Sequence, residues 1–214
     1  MEAYLDNSAT TRVDAQVQEL MKKLMDVDFG NPSSRHQKGV VAEGYIKEAR
    51  QKIAATLKVD PKELIITSGG TESNNMALIG TALVAKRKGN HIITTAVEHP
   101  SVKATASFLE EQGFRITFLS VDSRGQISLE DLKEALTPDT ILVSIMYVNN
   151  EIGTIQPVEE AAKLVHATVP GAVFHVDAIQ AYGKVMIRPK QQGIDLLSVS
   201  SHKFHGPKGA CLLY

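Results

Sequence analysis

The stretch VFHVDAIQAYGKVMIRPKQQGIDLLSVSSHK, residues 173–203, decides the fold. It contains two short apolar runs, at 173–177 and 195–200, and each run is followed or closed by polar residues. Short apolar runs rich in β-branched residues are typical of buried strands, and a longer connection between them is typical of a crossover. The stretch therefore predicts two neighbouring strands of a parallel sheet.

The same alternation extends from residue 60 to the end of the chain. Strands that alternate with segments of helical period indicate an α/β fold with a mostly parallel sheet flanked by helices. The predicted strands are Leu64–Thr67, His91–Thr95, Arg115–Ser120, Ile141–Tyr147, Val173–Asp177, Asp195–Ser200 and Ala210–Tyr214.

Two helices are predicted before this alternation begins. The first starts near Asp14, a good N-cap, and the second spans 40–57. A loop at 30–34 separates them, because Gly and Pro interrupt the helical period there. The residues expected on one face of the first helix are Val17, Leu20, Met21 and Leu24.

The last predicted strand, Ala210–Tyr214, is apolar and has no polar closing segment after it. Proteins normally cover an unpaired apolar edge strand. We therefore expect an exposed sheet edge here, in a chain that is cut short.

The composition limits the classes of partner. With 214 residues, 43% of them hydrophobic, the chain is long enough for a large core. Its 23 basic and 24 acidic side chains nearly cancel, so no global field attracts nucleic acid or an anionic membrane. One cysteine fits a reducing compartment, and the N-terminus does not resemble a signal peptide. We expect a soluble cytoplasmic protein with small-molecule and protein partners.

The segment Ser68–Ser73 contains two adjacent glycines between a predicted strand and a predicted helix. Its backbone N–H groups, the start of the helix and the Thr71 hydroxyl suit a phosphate group. A tight strand-to-helix turn without a ligand explains the segment equally well. The chain has no G-x-G, Walker, G-x-S-x-G or H-E-x-x-H motif, which disfavours dinucleotide, P-loop, simple hydrolase and zinc-protease sites and leaves no predicted metal site.

Asp177 closes one apolar run, and Lys203 follows the next. A carboxylate at the end of a buried strand requires a cation or strong donors. Pyridoxal 5'-phosphate (PLP) requires these two groups, an acid at its ring nitrogen and a lysine at its aldehyde. An internal ion pair between Asp177 and Lys203 is the alternative.

Seven segments, in this order, resemble the cysteine desulfurases of the NifS/IscS-like branch, within the class V aminotransferase-like PLP enzymes. The sequence Ser-Ser-His-Lys at the lysine resembles this branch more than the SufS-like one. The segments are Leu5–Thr11, Gly30–Ser34, Thr67–Asn75, Glu98–His99, Asn149–Gly153, His175–Gln180 and Ser200–Gly209.

The resemblance implies PLP-dependent transferase fold type I with a seven-stranded sheet. It also implies that 1–13 is a segment that packs with a small domain. Residues 14–214 then form an incomplete PLP-binding large domain, and the C-terminal small domain is absent.

The resemblance also implies a role for each matching residue. Lys203 forms the Schiff base and moves protons at the substrate Cα, and His99 stacks on the ring; these are the implied catalytic residues. Asp177 pairs with the pyridine nitrogen and Gln180 with the phenolic oxygen. Asn149 lies beside cofactor and substrate. The phosphate is held by Gly70, Thr71, Ser200 and His202. From the residues alone, His99 before Pro100 indicates a capping or core histidine.

The implied reaction converts L-cysteine to L-alanine and leaves the sulfur as a persulfide on an enzyme cysteine, for a sulfur acceptor or an iron-sulfur scaffold protein. In the family that cysteine lies on a mobile loop well past the lysine. Cys211 is instead predicted to be a buried packing residue, so we expect this chain alone to be inactive. A homodimer is expected. The alternatives are a selenocysteine lyase, another class V PLP enzyme, or a noncatalytic PLP-binding subunit.

Overall fold

The computed structural model describes residues 3–214 and contains a seven-stranded sheet in the order β1-β7-β6-β5-β4-β2-β3. Neighbouring strands are parallel, except that β7 runs antiparallel to both β6 and β1. The predicted α/β class and all seven predicted strands are confirmed. The strands are β1 Ile65–Thr67, β2 His91–Thr95, β3 Arg115–Leu119, β4 Thr140–Met146, β5 Val173–Asp177, β6 Leu196–Ser200 and β7 Cys211–Leu213.

Helices connect the strands and cover the sheet. The carboxylate of Asp14 accepts a hydrogen bond from the Gln16 N–H at 2.9 Å, so the predicted N-cap of the first helix is confirmed. The second helix begins three residues before the predicted start, because His36 caps it. The helices are α1 Ala15–Asp26, α2 Gln37–Leu57, α3 Gly70–Ala85, α4 Pro100–Glu111, α5 Leu129–Ala135, α6 Val158–Thr168 and α7 Pro189–Gln192, with 3-10 turns at Pro61–Glu63 and Ser201–Lys203.

The expectation of an unpaired edge at the last strand is wrong. The chain reverses after β6 through a turn in which Gly209 has a φ of +83°, a conformation that favours glycine. This reversal inserts β7 between β6 and β1, where both of its edges are paired. Cys211 is buried in β7, which confirms it as a packing residue.

The core lies on both faces of the sheet. Alternate residues of β4 point to opposite sides, so Leu142 packs in one cluster with α3 and α4, while Val143 packs in the other with α6. The predicted apolar face of α1 is not part of this core, since none of its residues is buried. Among residues 3–214, no helix has both the length and the apolar character needed to cross a membrane.

Two histidines are buried between strands as neutral hydrogen-bonding groups. The ring of His175 bridges Oγ of Ser144 at 2.8 Å and Oγ of Ser198 at 3.0 Å. Burial lowers the pKa of His175 to about 3. The ring of His91 contacts threonine hydroxyls in the same way, and burial, followed by a nearby arginine, lowers its pKa to about 4. Protonation of either ring is therefore unfavourable in the folded state.

We expect the free energy of unfolding to fall as the pH is lowered from about 7.5 to about 5. The unfolded His175 takes up a proton near its ordinary pKa of 6.5, which the folded side chain does not. The loss from this one side chain is about 2 kcal/mol. Urea titrations at the two pH values measure it. His175→Gln cannot titrate, so its loss should be about 2 kcal/mol smaller; equal losses in both proteins would contradict the assignment.

Candidate functional site

A cavity of about 400 Å³ lies at the carboxyl ends of the central strands. Residues just beyond β5 and β6 form one side of it, and the starts of α3 and α4 form another. Ligands of open α/β sheets bind at this edge. The predicted site residues that line the cavity are Gly70, Thr71, His99, Asp177, Gln180, Ser200, His202 and Lys203.

Asp177 ends β5 and is buried, with 4% of its surface exposed. Its Oδ1 accepts a hydrogen bond from the Ile179 N–H at 3.0 Å, and its Oδ2 accepts one from Nδ2 of Asn74 at 2.8 Å. Burial raises the pKa of the Asp177 carboxyl, which these two hydrogen bonds oppose. No salt bridge to Asp177 forms within the described part of the chain. The carboxyl therefore favours a cationic group in the cavity.

Lys203 lies in the 3-10 turn after β6. Its Nζ donates to the backbone carbonyls of Ser8 at 2.5 Å and Ala9 at 2.8 Å. Burial lowers the pKa of Lys203, the charge of Lys184 lowers it further, and the charge of Asp177 opposes both. A lowered pKa increases the fraction of neutral amine, which is the nucleophilic form.

His99 both caps α4 and lines the cavity. Its Nδ1 accepts a hydrogen bond from the Ser101 N–H at 3.1 Å, so His99 is the N-cap of α4. The interpretation as a capping histidine is therefore confirmed. The same side chain lines the cavity, and its stacking on a ligand ring stays a prediction.

The start of α3 forms the part of the cavity that suits an anion. Its N-cap, Gly69, has no side chain that could bond the first N–H groups of the helix, and these groups carry partial positive charge. Gly70 and Thr71 line the cavity here. A Cβ at Gly70 would collide with the side chain of Ile179, so glycine allows this close packing. A phosphate group suits these donors.

Ser200, the last residue of β6, and His202, in the turn that follows, complete this edge. Oγ of Ser200 lies 3.0 Å from Sγ of Cys211. Burial lowers the pKa of His202, and the charges of Lys203 and Lys208 lower it further. These effects favour the neutral form of the His202 ring.

The N-terminal segment, residues 3–14, lies across the turn that contains Lys203. The backbone N–H of Thr11 donates to the carbonyl of His202 at 2.8 Å, and that of Asp14 donates to the carbonyl of His205 at 2.9 Å. Nε2 of Gln180 donates to the Ser8 carbonyl at 2.8 Å. The segment therefore places its own carbonyls beside the amine and the amide expected to bind a ligand. Met1 and Glu2 lie outside the described residues.

Asn149 is the predicted site residue that does not line the cavity, although its neighbours Val148 and Asn150 do. It is buried, and its Nδ2 donates to the Val97 carbonyl at 2.9 Å. Its Oδ1 accepts from the backbone N–H groups of the two residues that follow Asn150. Asn149 thus shapes the loop beside the cavity, and its contact with a ligand stays a prediction.

Sequence reasoning did not single out three polar residues of this region. Asn74 contacts Asp177 and Ser101, and Ser101 contacts His99. Glu98 is buried beside them. The sequence does hold a signal for Asn74, because it lies one helical turn after Gly70 and shares its face. Within residues 3–214, no group of three or more His, Cys, Asp or Glu side chains is arranged to hold a metal ion.

Comparisons with known proteins find similar sequences and similar structures. The family model described as aminotransferase class V matches residues 3–214. A cysteine desulfurase IscS of Dictyoglomus turgidum is 50% identical over 213 residues, covering 100% of this chain and 54% of the relative. A solved NifS-like protein is 43% identical with a TM-score of 0.98, covering 100% of this chain and 59% of that one. Another structure, SspA in complex with cysteine, is 40% identical with a TM-score of 0.95, and the match covers 100% of this chain and 61% of that one. The chain spans about half the length of the curated relatives it matches.

The buried side chain of Glu98 allows a test of the raised pKa in this polar region. Its Oε1 accepts from the Met146 N–H and the Thr95 hydroxyl, both at 2.8 Å. Its Oε2 is buried and has no hydrogen-bond partner among residues 3–214. Burial raises the pKa of Glu98 to about 8, so the folded state holds a proton that the unfolded state releases near 4.5.

We expect the free energy of unfolding of the unsubstituted protein to fall, relative to Glu98→Gln, by about 3 kcal/mol between about pH 5.5 and about pH 8.5. Stability from this raised pKa is complete below 4.5 and is lost as the pH rises through about 8. Gln mimics the protonated acid and cannot titrate. Denaturant titrations at the two pH values measure the difference, and parallel pH profiles of the two proteins would exclude the raised pKa.

Proposed function

Because this chain belongs to the class V aminotransferase family, we propose that the polypeptide containing it is a PLP-dependent cysteine desulfurase and that this chain forms its cofactor-binding half. Class V aminotransferases and their cysteine desulfurase members are PLP-dependent. One observation carries the proposal: within residues 3–214 the buried carboxyl of Asp177 forms no salt bridge, and it shares a cavity with the amine of Lys203.

The donors of the cavity fit PLP. Asp177 suits the protonated ring nitrogen, since its hydrogen bonds come from neutral groups and it forms no salt bridge with any described side chain. The anionic phosphate suits the α3 N-terminus with Thr71 and the neutral His202. The volume of about 400 Å³ lies within the range of small-molecule sites, about 300–1,000 Å³. We assign the ring face to His99 and the phenolic oxygen to Gln180.

When bound, PLP supplies an electron sink that makes the Cα–H bond of an amino acid acidic. Asp177 keeps the ring nitrogen protonated, because a charge-assisted hydrogen bond to a buried carboxylate favours the cation. Lys203 holds the aldehyde carbon and then carries the proton at the substrate Cα, a role that its lowered pKa supports. His99 orients the ring, and the helix N-terminus anchors the phosphate.

The proposed substrate is L-cysteine. A cysteine thiolate of the enzyme attacks the substrate sulfur, and the carbon–sulfur bond breaks with its electron pair going to the substrate Cβ, which takes up a proton. The sulfur remains as a persulfide, and the carbon skeleton leaves as L-alanine. Cys211 is buried in β7, so we assign the thiolate, and the arginine for the substrate carboxylate, to a part of the relatives that this chain does not span. The chain alone is then inactive in desulfuration.

The relatives also bear on the partners and on the alternatives. Their names support cysteine desulfurase over selenocysteine lyase, another class V enzyme or a noncatalytic subunit. We infer a sulfur acceptor or iron-sulfur scaffold protein as partner, and a homodimer as the oligomeric state. We also infer a cytoplasmic location, which the single cysteine supports. We also infer that 1–13 packs with a small domain and that 14–214 is the large-domain part.

Lys203→Ala should abolish the Schiff-base absorbance of the full-length protein with bound PLP, because no other described amine lines the cavity. Absorption spectra of the purified protein measure this. Lys190→Ala is the matched control, since that lysine pairs with Glu63 on the surface and should leave the spectrum unchanged. A Lys203→Ala protein with the unsubstituted spectrum would refute the assignment.

Asp177→Ala should lower the rate of alanine formation from L-cysteine by about 30-fold or more, because loss of one partner of a buried charge pair costs at least about 2 kcal/mol. The visible absorbance should persist, because Lys203 remains. Alanine and sulfide are measured in the presence of a thiol reductant, with the full-length protein. A rate within about twofold of the unsubstituted enzyme contradicts the role of Asp177.

A further inference from the structure

A chain of hydrogen bonds connects Asp177 to His99. Nδ2 of Asn74 donates to Oδ2 of Asp177 at 2.8 Å and to Oγ of Ser101 at 3.0 Å. Oγ of Ser101 lies 2.8 Å from Nδ1 of His99. One amide and one hydroxyl therefore connect the two side chains that the proposed function places at the ring nitrogen and the ring face.

In this series of hydrogen bonds, the donor and the acceptor can be identified at each step. The amide of Asn74 must turn its NH₂ toward Asp177, because its carbonyl oxygen would be repelled by the carboxylate. Ser101 Oγ accepts from that NH₂, which leaves the hydroxyl proton for His99. The backbone N–H of Ser101 also points at Nδ1, at 3.1 Å. Nδ1 is therefore an acceptor, and the neutral ring carries its proton on Nε2.

The burial of Asn74 argues against a purely structural role. Its side chain is fully buried, and its Oδ1 has no hydrogen-bond partner within residues 3–214. An unpaired buried carbonyl destabilises a fold, and an apolar side chain of similar size avoids that cost. The benefit of an amide here lies in its two donors, which reach Asp177 and Ser101.

From these contacts, and resting on the proposed function, we propose that Asn74 and Ser101 are positioning residues for the cofactor. Asn74 holds the carboxylate of Asp177 in place for the ring nitrogen. Ser101 holds His99 as the Nε2–H tautomer in place for the ring face. Both act through the residue that touches the cofactor, and they act as a unit because they share one hydrogen bond.

The first test measures the tautomer of His99 by ¹⁵N NMR in cofactor-free full-length protein. Ser101→Ala should raise the ratio of Nδ1–H to Nε2–H about tenfold, because one donor to Nδ1 is lost. Asn74→Ala should act in the same direction, because Ser101 Oγ then has a lone pair free to accept from Nδ1–H. Ser101→Thr retains the hydroxyl and should retain the Nε2–H tautomer.

The second test measures PLP affinity in the same variants. Asn74→Ala and Ser101→Ala should each weaken binding about tenfold, and the double variant should weaken it by clearly less than the product of the two losses, because the shared bond is lost only once. Ser144→Ala is the matched control. It removes a buried hydroxyl of β4 that bonds His175 and contacts neither Asn74 nor Ser101, and Ser144 does not line the cavity, so affinity and tautomer should be unchanged.

The outcomes separate this inference from the proposed function. An Nε2–H tautomer that persists in both alanine variants, or two affinity losses that multiply in the double variant, would overturn the inference. If the unsubstituted full-length protein binds no PLP, the proposed function fails. The tautomer ratio in cofactor-free protein then still decides whether Asn74 and Ser101 position His99.

Discussion

The site depends on one constraint: Asp177 is buried at the end of a central strand without a cation from the described part of its own chain. A buried carboxyl of this kind is tolerated because neutral donors surround it and because burial raises its pKa. A bound group with a protonated nitrogen relieves the constraint. The same arrangement that lowers the stability of the free chain therefore favours the cofactor.

The order of the strands brings the other site residues to the same edge of the sheet as Asp177. Parallel pairing of β4, β5 and β6 places Met146 opposite Asp177 and Asp177 opposite Ser198, so the three carboxyl ends meet at one edge. The chain then turns immediately after β6, which brings Lys203 to that edge. Helices α3 and α4 begin at the same edge and add an anion-binding terminus and a histidine. No single element contains the site.

The N-terminal segment shows how the far end of the chain participates. Residues 8 and 9 give their carbonyls to Nζ of Lys203, and the following residues pair with the turn at 202–205. These contacts stabilise the turn and keep the amine inside the cavity, where burial lowers its pKa. The conformation of the lysine thus depends on residues almost 200 positions earlier, as the separations of 194 and 195 residues show.

The sequence by itself determined the class of fold and the main chemical groups, because apolar period and strand-end polarity are local properties. It placed all seven strands and the residues Thr71, Asp177 and Lys203. Only the tertiary structure decided that β7 is inserted between β6 and β1, since pairing partners are chosen by long-range packing. Only it showed that the Asn149 side chain bonds the loop beside the cavity and that Asn74 joins Asp177 to Ser101. Hydrogen bonds between residues distant in sequence produce no local pattern of residue types, so the sequence alone does not predict them.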